Sequence, residues 1–505
     1  MEPFNAGWLS IVPPIVAIAL ALITKEVLSS LVLGILTGTL IYTIGMDGNV
    51  LMGTLESAFT VMGNKVDFNI LIFCSLLGAL VYVVAMSGGT KAYGNWAVKR
   101  IKGRKSALAA TTGLGALIFI DDYFNCLTVG SVMTPVTDSQ RISRVKLAYL
   151  IDATAAPICM IAPISSWAAA VSGVAAKLDT GVSGIQLFIE AIPYNFYSLL
   201  TIVFVITMVV LGVDYGPMAA AELKAAQTGD LGALSEEQEE GSSRANMWDM
   251  LIPIILLIIF CVIGLIYVGG FWDPETNAGD FIAAFGDTDA FVGLPWGALI
   301  ALVLSIIYLC ARRVITFKGA MGCMTKGFNA MVPAILILTF AVSLKSMTGL
   351  LGAADYVEGL MKQASEGLFM LLPAIIFVVA CLLAFATGTS WGTFGILIPI
   401  VLPIFNAAPD LQIMGISACL AGAVCGDHCS PISDTTIMAS AGANCNHIDH
   451  VSTQIPYAVT VAAICFVNYI LAAFIRNVVI SLAIGVVMVI GTLLVIRSVQ
   501  SRKAA

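Results

Sequence analysis

Long apolar stretches alternate with short polar loops along the whole chain. A helix needs about 20 apolar residues to cross a hydrocarbon core of ~30 Å, and runs near that length recur from end to end. The predicted spans lie near residues 9–24, 27–46, 68–87, 194–213, 249–268, 295–311, 329–347, 455–475 and 477–496. The pattern predicts an all-α polytopic membrane protein.

Two further stretches, residues 105–175 and 368–443, are apolar but interrupted by Gly, Pro, Asp and Ser. Each predicts a re-entrant helical hairpin followed by a broken transmembrane helix. The hairpins are expected at about 105–140 and 368–405, and the broken helices at about 144–175 and 412–443.

The two halves of the chain resemble each other. The tripeptide PIS occurs at 163–165 and again at 431–433, an offset of 268 residues, and Pro135 matches Pro403 at the same offset. Each half contains five predicted spans and one hairpin. Because five is an odd number of crossings, the second repeat is predicted to be inverted relative to the first. Inverted repeats with broken helices are the architecture of secondary transporters, which bind cargo near the bilayer midplane.

The predicted organisation has four parts: a first repeat at 1–215, a solvated polar linker at 216–246, an inverted second repeat at 247–475, and an extra transmembrane helix with a tail at 476–505. Basic loops such as KAYGNWAVKRIKGRKS are expected in the cytoplasm by the positive-inside rule. The N-terminus is then outside and the C-terminus inside, with about 11 spans in the inner membrane.

Composition agrees with a membrane protein. Hydrophobic residues make up 59% of the chain and charged residues 11%, with a mean hydropathy of +0.97, whereas soluble domains carry about 25% charged residues. No cleavable signal peptide is expected, since MEPFNAGW lacks a basic region. The twelve cysteines are scattered mostly in apolar segments and suggest no disulfide framework.

Two adjacent carboxylates, Asp121 and Asp122, lie at the predicted tip of the first hairpin, in IDDYFN. Irregular backbone at membrane depth must line a protein-enclosed or watery cavity. An unpaired carboxylate at the bilayer centre costs about 2.5–3.5 kcal/mol on insertion scales, and two neighbouring carboxylates repel. The pair therefore predicts a site that alternately holds a metal cation or a proton. Alternatively, one Asp caps the following helix. Asn125 could either add an oxygen ligand or pack in the protein core.

The equivalent tip of the second half reads ATGTSWGT, where Thr389 and Ser390 align with the aspartates at the offset of 268. Hydroxyls and freed carbonyls are hard oxygen donors suited to Na⁺. The alternative is an ordinary Gly/Ser hairpin turn.

Pro163 and Pro431 are predicted to break the two interrupted spans at equivalent points. Polar residues follow these breaks, namely Ser165, Ser166, Ser433, Asp434, Thr435 and Thr436. Asp427, a turn before the second break, and Asp434 are candidate ligands or proton carriers, with His428 as a pH-responsive neighbour. Asp434 could instead cap a helix, and Asp152 could either face the site or pair with Lys146.

A competing metal site involves the three histidines and their neighbouring cysteines: His428, His447, His450, Cys425, Cys429 and Cys445. Their spacing matches no common zinc motif. No Gly-rich phosphate loop is present, which argues against an ATP-driven pump.

The motifs IDDYFN, APISSW and especially GDHCSPISDTT resemble the NhaC-type Na⁺/H⁺ antiporter family of the ion transporter superfamily. The resemblance implies a secondary exchanger with two re-entrant hairpins and an elevator-type movement. Some relatives in that family exchange organic solutes such as malate and lactate. The implied site draws on Asp121, Asp122, Asp427, Ser430, Ser433 and Asp434.

The leading hypothesis is exchange of Na⁺ against H⁺, with Asp121, Asp122 and Asp434 as the Na⁺ ligands and no cofactor besides the transported ions. No buried Arg or Lys is expected to hold a carboxylate substrate. The first alternative is exchange of a small organic solute, with a cationic amine or amino acid preferred over an organic acid. The aromatic residues Tyr123, Trp167 and Trp391 near the tips would suit an organic cation or pack as core.

A channel is a further alternative. An intramembrane enzyme is disfavoured because Asp427 and His428, the one candidate catalytic pair, are adjacent on a helix and do not face each other. The expected partners are membrane lipid and the cargo, with no nucleic acid. A homodimer is left open.

Overall fold

A computed structural model describes residues 1–24, 26–46, 48–64, 68–119, 122–162, 165, 167–168, 171, 184–234, 242, 244–353, 355–356, 370–405 and 409–504. Asp121, Pro163 and Ser166, three residues of the predicted site region, lie outside this described part. Within it, regular secondary structure is helical apart from one isolated antiparallel bridge between Ala233 and Cys445.

The helices of the first half follow a short 3₁₀ turn at Gly7–Ile11. They are α1 (Val12–Thr24), α2 (Val27–Gly45), α3 (Val50–Asn64), α4 (Phe68–Ser87), α5 (Gly89–Arg100), α6 (Arg104–Leu117), α7 (Asp122–Ser139), α8 (Arg144–Thr154), α9 (Ala156–Cys159), α10 (Gly184–Ala191), α11 (Phe196–Leu211) and α12 (Gly216–Thr228).

The helices of the second half begin after the linker. They are α13 (Trp248–Val268), α14 (Phe281–Gly286), α15 (Ala290–Ala311), α16 (Phe317–Leu350), α17 (Leu372–Thr387), α18 (Ser390–Ile404), α19 (Pro409–Cys429), α20 (Asp434–Gly442), α21 (His447–Ile475) and α22 (Val478–Ala504).

Six helices of the described part are long and apolar enough to cross a membrane, and two bent pairs would raise that number to eight. The six are Leu28–Gly45, Phe196–Thr228, Trp248–Val268, Val292–Ala311, His447–Ile475 and Val478–Ser501. Each overlaps a span predicted from the apolar runs. The chain is therefore an all-helical multi-pass membrane protein, while the count of about 11 spans and the inverted repeat remain predictions.

The helices form two packed groups. In the first group, α4 and α16 pack together and contact α2 and α15, and α15 packs along α13. In the second group, the helix–turn–helix pairs α6–α7 and α17–α18 surround the broken helices: α6 and α7 pack on α8, α7 crosses α20, and α17 and α18 lie along α19. The described residues of the predicted site lie in the helices of the second group or in the turns and breaks between them, apart from Ser165, which follows α9.

The crossing of α7 and α20 brings the two halves into backbone contact. A Cβ added to Gly130 would lie 2.7 Å from the Cα of Gly442, and one added to Gly442 would overlap the carbonyl oxygen of Cys126. Only glycine at both positions permits this approach. The first hairpin and the second broken helix are thus fitted to each other.

The expectation of a fully solvated linker is wrong for its first part. Helix α12 buries Met218, Glu222 and Ala225, which share one face because they are four and three residues apart. Glu222 accepts the N–H of Ser143 at 2.8 Å and pairs with Arg104. The linker therefore packs on the ends of α6 and α8.

Residues after α12 continue this packing. The carbonyl of Leu231 accepts the N–H of Arg144 at 2.8 Å, and the N–H of Leu234 donates to Asn444 at 3.2 Å. The exposed end of α12 behaves as a solvated segment: the Lys224 ammonium and the N–H of Gly232 lower the pKa of the Asp230 carboxyl.

Candidate functional site

Asp122 lies at the tip of the first hairpin. It is the first residue of α7 and is 1% exposed. Its Oδ2 accepts a hydrogen bond of 3.1 Å from the indole Nε1–H of Trp167, and its Oδ1 accepts the N–H of Tyr123 at 3.2 Å. The positive end of the helix dipole stabilises a carboxylate here. Asp122 is thus placed at the start of the helix, where its Oδ1 bonds the N–H of the next residue.

Asn125 holds the hairpin together. Its Nδ2 donates to the carbonyls of Gly115 and Ile118, both at 2.7 Å, and to that of Thr154 at 3.2 Å. These bonds join α7 to the end of α6 and to the end of α8. The buried Oδ1 of Asn125 has no hydrogen-bond partner, so this oxygen is the atom that could serve as a ligand.

Asp434 faces the first hairpin from the other half of the chain. It is the first residue of α20, is half-buried, and accepts the N–H of Thr435 at 2.9 Å. Its Oδ2 accepts a 2.6 Å hydrogen bond from the hydroxyl of Tyr123. Asp122 and Asp434 therefore occupy the same position on their helices, and Tyr123 connects them.

The second broken helix is interrupted where the sequence predicts. Helix α19 ends at Cys429 and α20 begins at Asp434, with a bend of 50° across the segment that contains Pro431. The hydroxyl of Ser430 donates to the carbonyl of Phe385 at 2.8 Å. Ser430 thereby attaches the break to the end of α17.

Asp427 lies one turn before this break. Its Oδ2 accepts the hydroxyl of Thr435 at 2.8 Å, and its main-chain oxygen accepts the hydroxyl of Thr436 at 3.4 Å. A short chain of contacts thus connects Asp427 to the residue that follows Asp434.

The second hairpin tip rests on the same break. Gly388 has a φ of +62°, and a Cβ there would lie 2.8 Å from the carbonyl carbon of Ile432. Thr389 accepts the N–H of Gly392 at 3.3 Å, and Ser390 begins α18, with both side chains buried. The hydroxyl of Thr389 thus takes part in the turn, as the alternative for this tip expects.

Aromatic rings join the two tips. The ring centroid of Trp167 lies 6.1 Å from that of Trp391 and 5.7 Å from that of Phe394. Trp167 also donates its N–H to Asp122. Among the described residues, no acceptor bonds to the buried Nε1–H of Trp391, whose ring packs against that of Trp167.

The first broken helix has an interruption that the sequence analysis did not predict. Helix α8 ends at Thr154, Ala155 has φ −84° and ψ −93°, and α9 begins at Ala156. Pro157, in the first turn of α9, has no N–H to continue the helical hydrogen bonds. The interruption thus precedes Pro163, the predicted breaking residue.

Ser165 and Ser433 have the same local role 268 positions apart. Ser165 accepts the N–H of Ala168 at 3.2 Å and donates to the carbonyl of Cys159 at 2.8 Å. Ser433 accepts the N–H of Thr436 at 3.2 Å. Both therefore satisfy the N–H three residues ahead, as helix N-caps do.

Asp152 lies in a separate buried group at the end of α8. Its Oδ2 accepts the amide Nε2 of Gln454 at 2.6 Å and lies 3.3 Å from Nε2 of His450 and 3.7 Å from Nε2 of His428. The hydroxyl of Tyr197 contacts Nδ1 of His428 at 2.9 Å. The sequence analysis did not include His450 and Gln454 in the site, although they are four residues apart on one face of an apolar helix.

The alternative pairing of Asp152 with Lys146 is wrong. Lys146 is 1% exposed and pairs with Asp214, which also accepts the hydroxyl of Tyr457 at 2.7 Å. Arg144 is buried too and binds both carboxylate oxygens of Asp138 at 2.8 Å. Lys and Arg are thus buried here, but each of these two cations has a carboxylate partner within the chain, so the expectation that none holds a carboxylate substrate stays a prediction.

His447 is bonded within the chain. Its Nε2 lies 2.8 Å from the carbonyl oxygen of Pro431, and its Nδ1 lies 3.0 Å from Oγ of Ser440. Burial raises the pKa of the Cys445 thiol to about 12, so this cysteine stays protonated at neutral pH. The part of the chain that the structure describes contains no group of three or more His, Cys, Asp or Glu side chains placed to hold a metal ion.

Comparisons with known proteins agree on the class. A model of the Na⁺/H⁺ antiporter family matches residues 158–474. An uncharacterized protein of Haemophilus influenzae is 37% identical over 486 residues, which cover 93% of this chain and 92% of that protein.

Two named relatives match parts of the chain. The arginine/ornithine antiporter ArcD of Halobacterium salinarum is 26% identical over 239 residues, or 46% of this chain and 44% of that one. The malate-2H⁺/Na⁺-lactate antiporter of Bacillus subtilis is 26% identical over 198 residues, or 39% and 42%. The crystal structure of the YdaH transporter of Alcanivorax borkumensis aligns at 14% identity and a TM-score of 0.36, over 84% of this chain and 88% of that one.

Proposed function

Because the chain belongs to the Na⁺/H⁺ antiporter family, we propose that it exchanges Na⁺ for H⁺ across the cytoplasmic membrane. The observation that carries this proposal is the junction of Asp122 and Asp434 through Tyr123. One carboxylate comes from a hairpin tip of the first half and the other from the broken helix of the second. Asp122 begins α7 beside the first tip, and Asp434 begins α20 just after the break in the second broken helix.

Two carboxylates in this setting favour a bound cation. Each lies at its own helix N-terminus, which favours a charged carboxylate, and a charge inside a membrane protein is costly without a counter-ion. A Na⁺ ion or a proton neutralises that charge. Because the two ions compete for the same oxygens, binding of one releases the other, which is the basis of exchange.

The surrounding atoms suit Na⁺ as cargo. Carboxylate, hydroxyl and carbonyl oxygens are the ligands that hard cations prefer. Asp121 precedes Asp122 in the chain, and Thr389 and Ser390 lie at the opposing tip, which rests on the break before Asp434. We assign Asp121, Asp122 and Asp434 as the Na⁺ ligands, with the hydroxyl groups of the second tip as candidates for the remaining positions.

We further propose an elevator-type movement. The Gly130–Gly442 crossing, the contact of Gly388 with Ile432 and the bond from Ser430 to Phe385 fit the hairpins and broken helices closely together. Such a unit would move as one body against the group formed by α2, α4, α13, α15 and α16. The N-terminus would be outside and the C-terminus in the cytoplasm, as the basic loops favour.

A second candidate is exchange of a small organic solute that carries a carboxylate. The free indole N–H of Trp391 supports it, since Na⁺ offers this donor no acceptor whereas a carboxylate would. Asp122 would bind an ammonium group of the same solute, beside the rings of Trp167 and Phe394. The names of two relatives, antiporters for arginine and ornithine and for malate and lactate, agree with such cargo.

Purified protein in liposomes loaded with a pH-sensitive dye tests both candidates. Addition of Na⁺ outside is expected to drive protons outward, and D121N, D122N and D434N are each expected to abolish this flux. D449N is the matched control, because Asp449 also lies in the first turn of a helix but is exposed.

The solute that elicits the proton flux identifies the cargo. If Na⁺ and Li⁺ elicit none while arginine, ornithine, malate or lactate does, the organic-solute candidate replaces Na⁺. Flux that follows the Na⁺ gradient, does not saturate and ignores an imposed proton gradient would indicate a channel instead.

A further inference from the structure

Asp152, His428, His450 and Gln454 form a buried group, here called the histidine cluster, away from the hairpin tips. All four side chains are at most 4% exposed. The cluster joins α8 of the first half to α19 and α21 of the second. Nothing in the exchange described above uses it.

Charge balance in the histidine cluster requires a proton. A carboxylate as deeply buried as Asp152 is costly to keep ionised without a positive partner. The two basic side chains on the same helix are already paired, Lys146 with Asp214 and Arg144 with Asp138. Asp152 is therefore neutralised either by its own proton or by a proton on a neighbouring imidazole.

The hydrogen bonds of the cluster leave places for that proton. Three side-chain nitrogens converge on one oxygen of Asp152, from Gln454 at 2.6 Å, His450 at 3.3 Å and His428 at 3.7 Å. At the same time, Nδ1 of His450 and Nε2 of His428 are buried with no hydrogen-bond partner. Each open nitrogen of a neutral imidazole carries either the ring N–H or a lone pair that can accept a proton.

Among the described residues, the ion-pair partners of Asp152 are His428 and His450, and no Lys or Arg pairs with it. Other titratable groups that interact electrostatically with Asp152 include Tyr149 on α8, Asp427 and Cys429 on α19, and His447 on α21. Tyr197 on α11 contacts His428.

We propose that Asp152 and His450, with His428 beside them, hold one exchangeable proton at a site separate from the carboxylates of the hairpin tips. The inference rests on the proposed function in that this proton is a proton of the exchange cycle. The proton enters from water on one side of the membrane and leaves to water on the other, with no other change in bonding.

The cluster lies close enough to the tip site to influence it. His428 follows Asp427, whose carboxylate accepts the hydroxyl of Thr435, and Thr435 follows Asp434. A proton gained or lost by the cluster changes the electrostatic potential at Asp427 and, through it, at Asp434. Occupancy of the cluster is thus expected to set the pH at which the tip site releases its cation.

Potentiometric titration of the purified protein tests this without any cargo. Over the pH range in which the protein stays folded, wild type is expected to take up about one proton more than D152N and about one more than H450Q. H447Q is the control: His447 is on the same helix and equally enclosed, but both its ring nitrogens have partners. Equal uptake by wild type, D152N and H450Q would overturn the proposal.

D122N separates this site from the tip site. D122N is expected to keep the proton that D152N loses, but to lose the protons that are released when Na⁺ is added. If D122N and D152N lose the same proton, the two sites are one and the inference fails.

In liposomes, D152N and H450Q are expected to shift the pH at which transport is half-maximal. If Na⁺ drives no transport but the titration difference persists, the Na⁺ assignment is wrong and the proton site stands.

Discussion

The hydroxyl of Tyr123 donates a hydrogen bond of 2.6 Å to the carboxylate of Asp434, although 311 residues separate the two in the chain. This bond joins the first hairpin to the second broken helix beside the buried Asp122. Tyr123 follows Asp122 in the chain and bonds to Asp434, so it is well placed to couple these two carboxylates.

Replacing Tyr123 with Phe removes this bond and leaves the ring. A hydrogen bond to a charged group contributes about 1.5–3 kcal/mol. Y123F is therefore expected to raise the half-saturating cargo concentration about tenfold or more, measured as dye-reported proton flux in liposomes. Y267F serves as the control, because Tyr267 is 57% exposed. An unchanged half-saturating concentration in Y123F would show that the bond has no part in cargo binding.

Gly130→Ala should disrupt the crossing of α7 and α20. The added Cβ would lie 2.7 Å from the Cα of Gly442, which belongs to the backbone and cannot rotate away. Overpacking of this kind costs about 1–3 kcal/mol, and more when backbone must shift. We expect a lower midpoint of thermal unfolding in detergent and loss of transport.

The matched control for that variant is G113A on α6. Gly113 is also inside a helix of the hairpin, and a Cβ there would meet nothing within 4 Å. G113A should leave the unfolding midpoint unchanged or raise it, since alanine favours the helix. Equal effects of the two substitutions would mean that the crossing is looser than the structure shows.

Lys146→Met should destabilise the protein through the carboxylate it leaves behind. Removing one partner of a buried ion pair typically costs about 3–5 kcal/mol, because the other charge stays unpaired. Asp214 is 20% exposed on its side chain, so the lower end of that range is expected. The double variant K146M/D214N should recover most of the loss, as judged by thermal unfolding in detergent; a double variant no more stable than K146M would contradict this account.

Glu222→Ala tests whether the linker is attached to the ends of α6 and α8. The substitution removes the acceptor for the N–H of Ser143 and the partner of Arg104. It should lower the midpoint of thermal unfolding by an amount that corresponds to about 1–3 kcal/mol, the cost of leaving buried polar groups unpaired. K224A, on the exposed side of the same helix, removes a surface ion pair and should change the midpoint little. Equal midpoints in both variants would indicate a detached linker.

The positions of the helices could be predicted because membrane imposes a local rule. Backbone groups in hydrocarbon must bond within their own segment, so an apolar run of sufficient length becomes a helix whatever its neighbours are. Apolar runs such as those of Trp248–Val268 and Val478–Ser501 therefore identify spans directly. The break at Pro431 and the capping serines Ser165 and Ser433 are local in the same sense, since each depends on bonds within a few residues.

The interruption at Ala155 shows the limit of local reasoning. Pro157 is visible in the sequence, but proline in the first turn of a helix is compatible with an uninterrupted span that bends. The packing of α6 and α7 against α8, with Asn125 bonded to the carbonyl of Thr154, accompanies the interruption at this point.

The sequence by itself determined where the long apolar helices lie, including the six that are long enough to cross a membrane, and where the second broken helix is interrupted. It could not determine which side chain each acidic residue meets, and only the tertiary structure decided that Asp434 meets Tyr123, that Asp152 meets His450 and Gln454 about 300 residues away, and that Lys146 meets Asp214. The physical reason is the range of the interactions along the chain. Helix formation depends on residues within one or two turns, whereas the partner of a buried charge depends on which distant helices pack together.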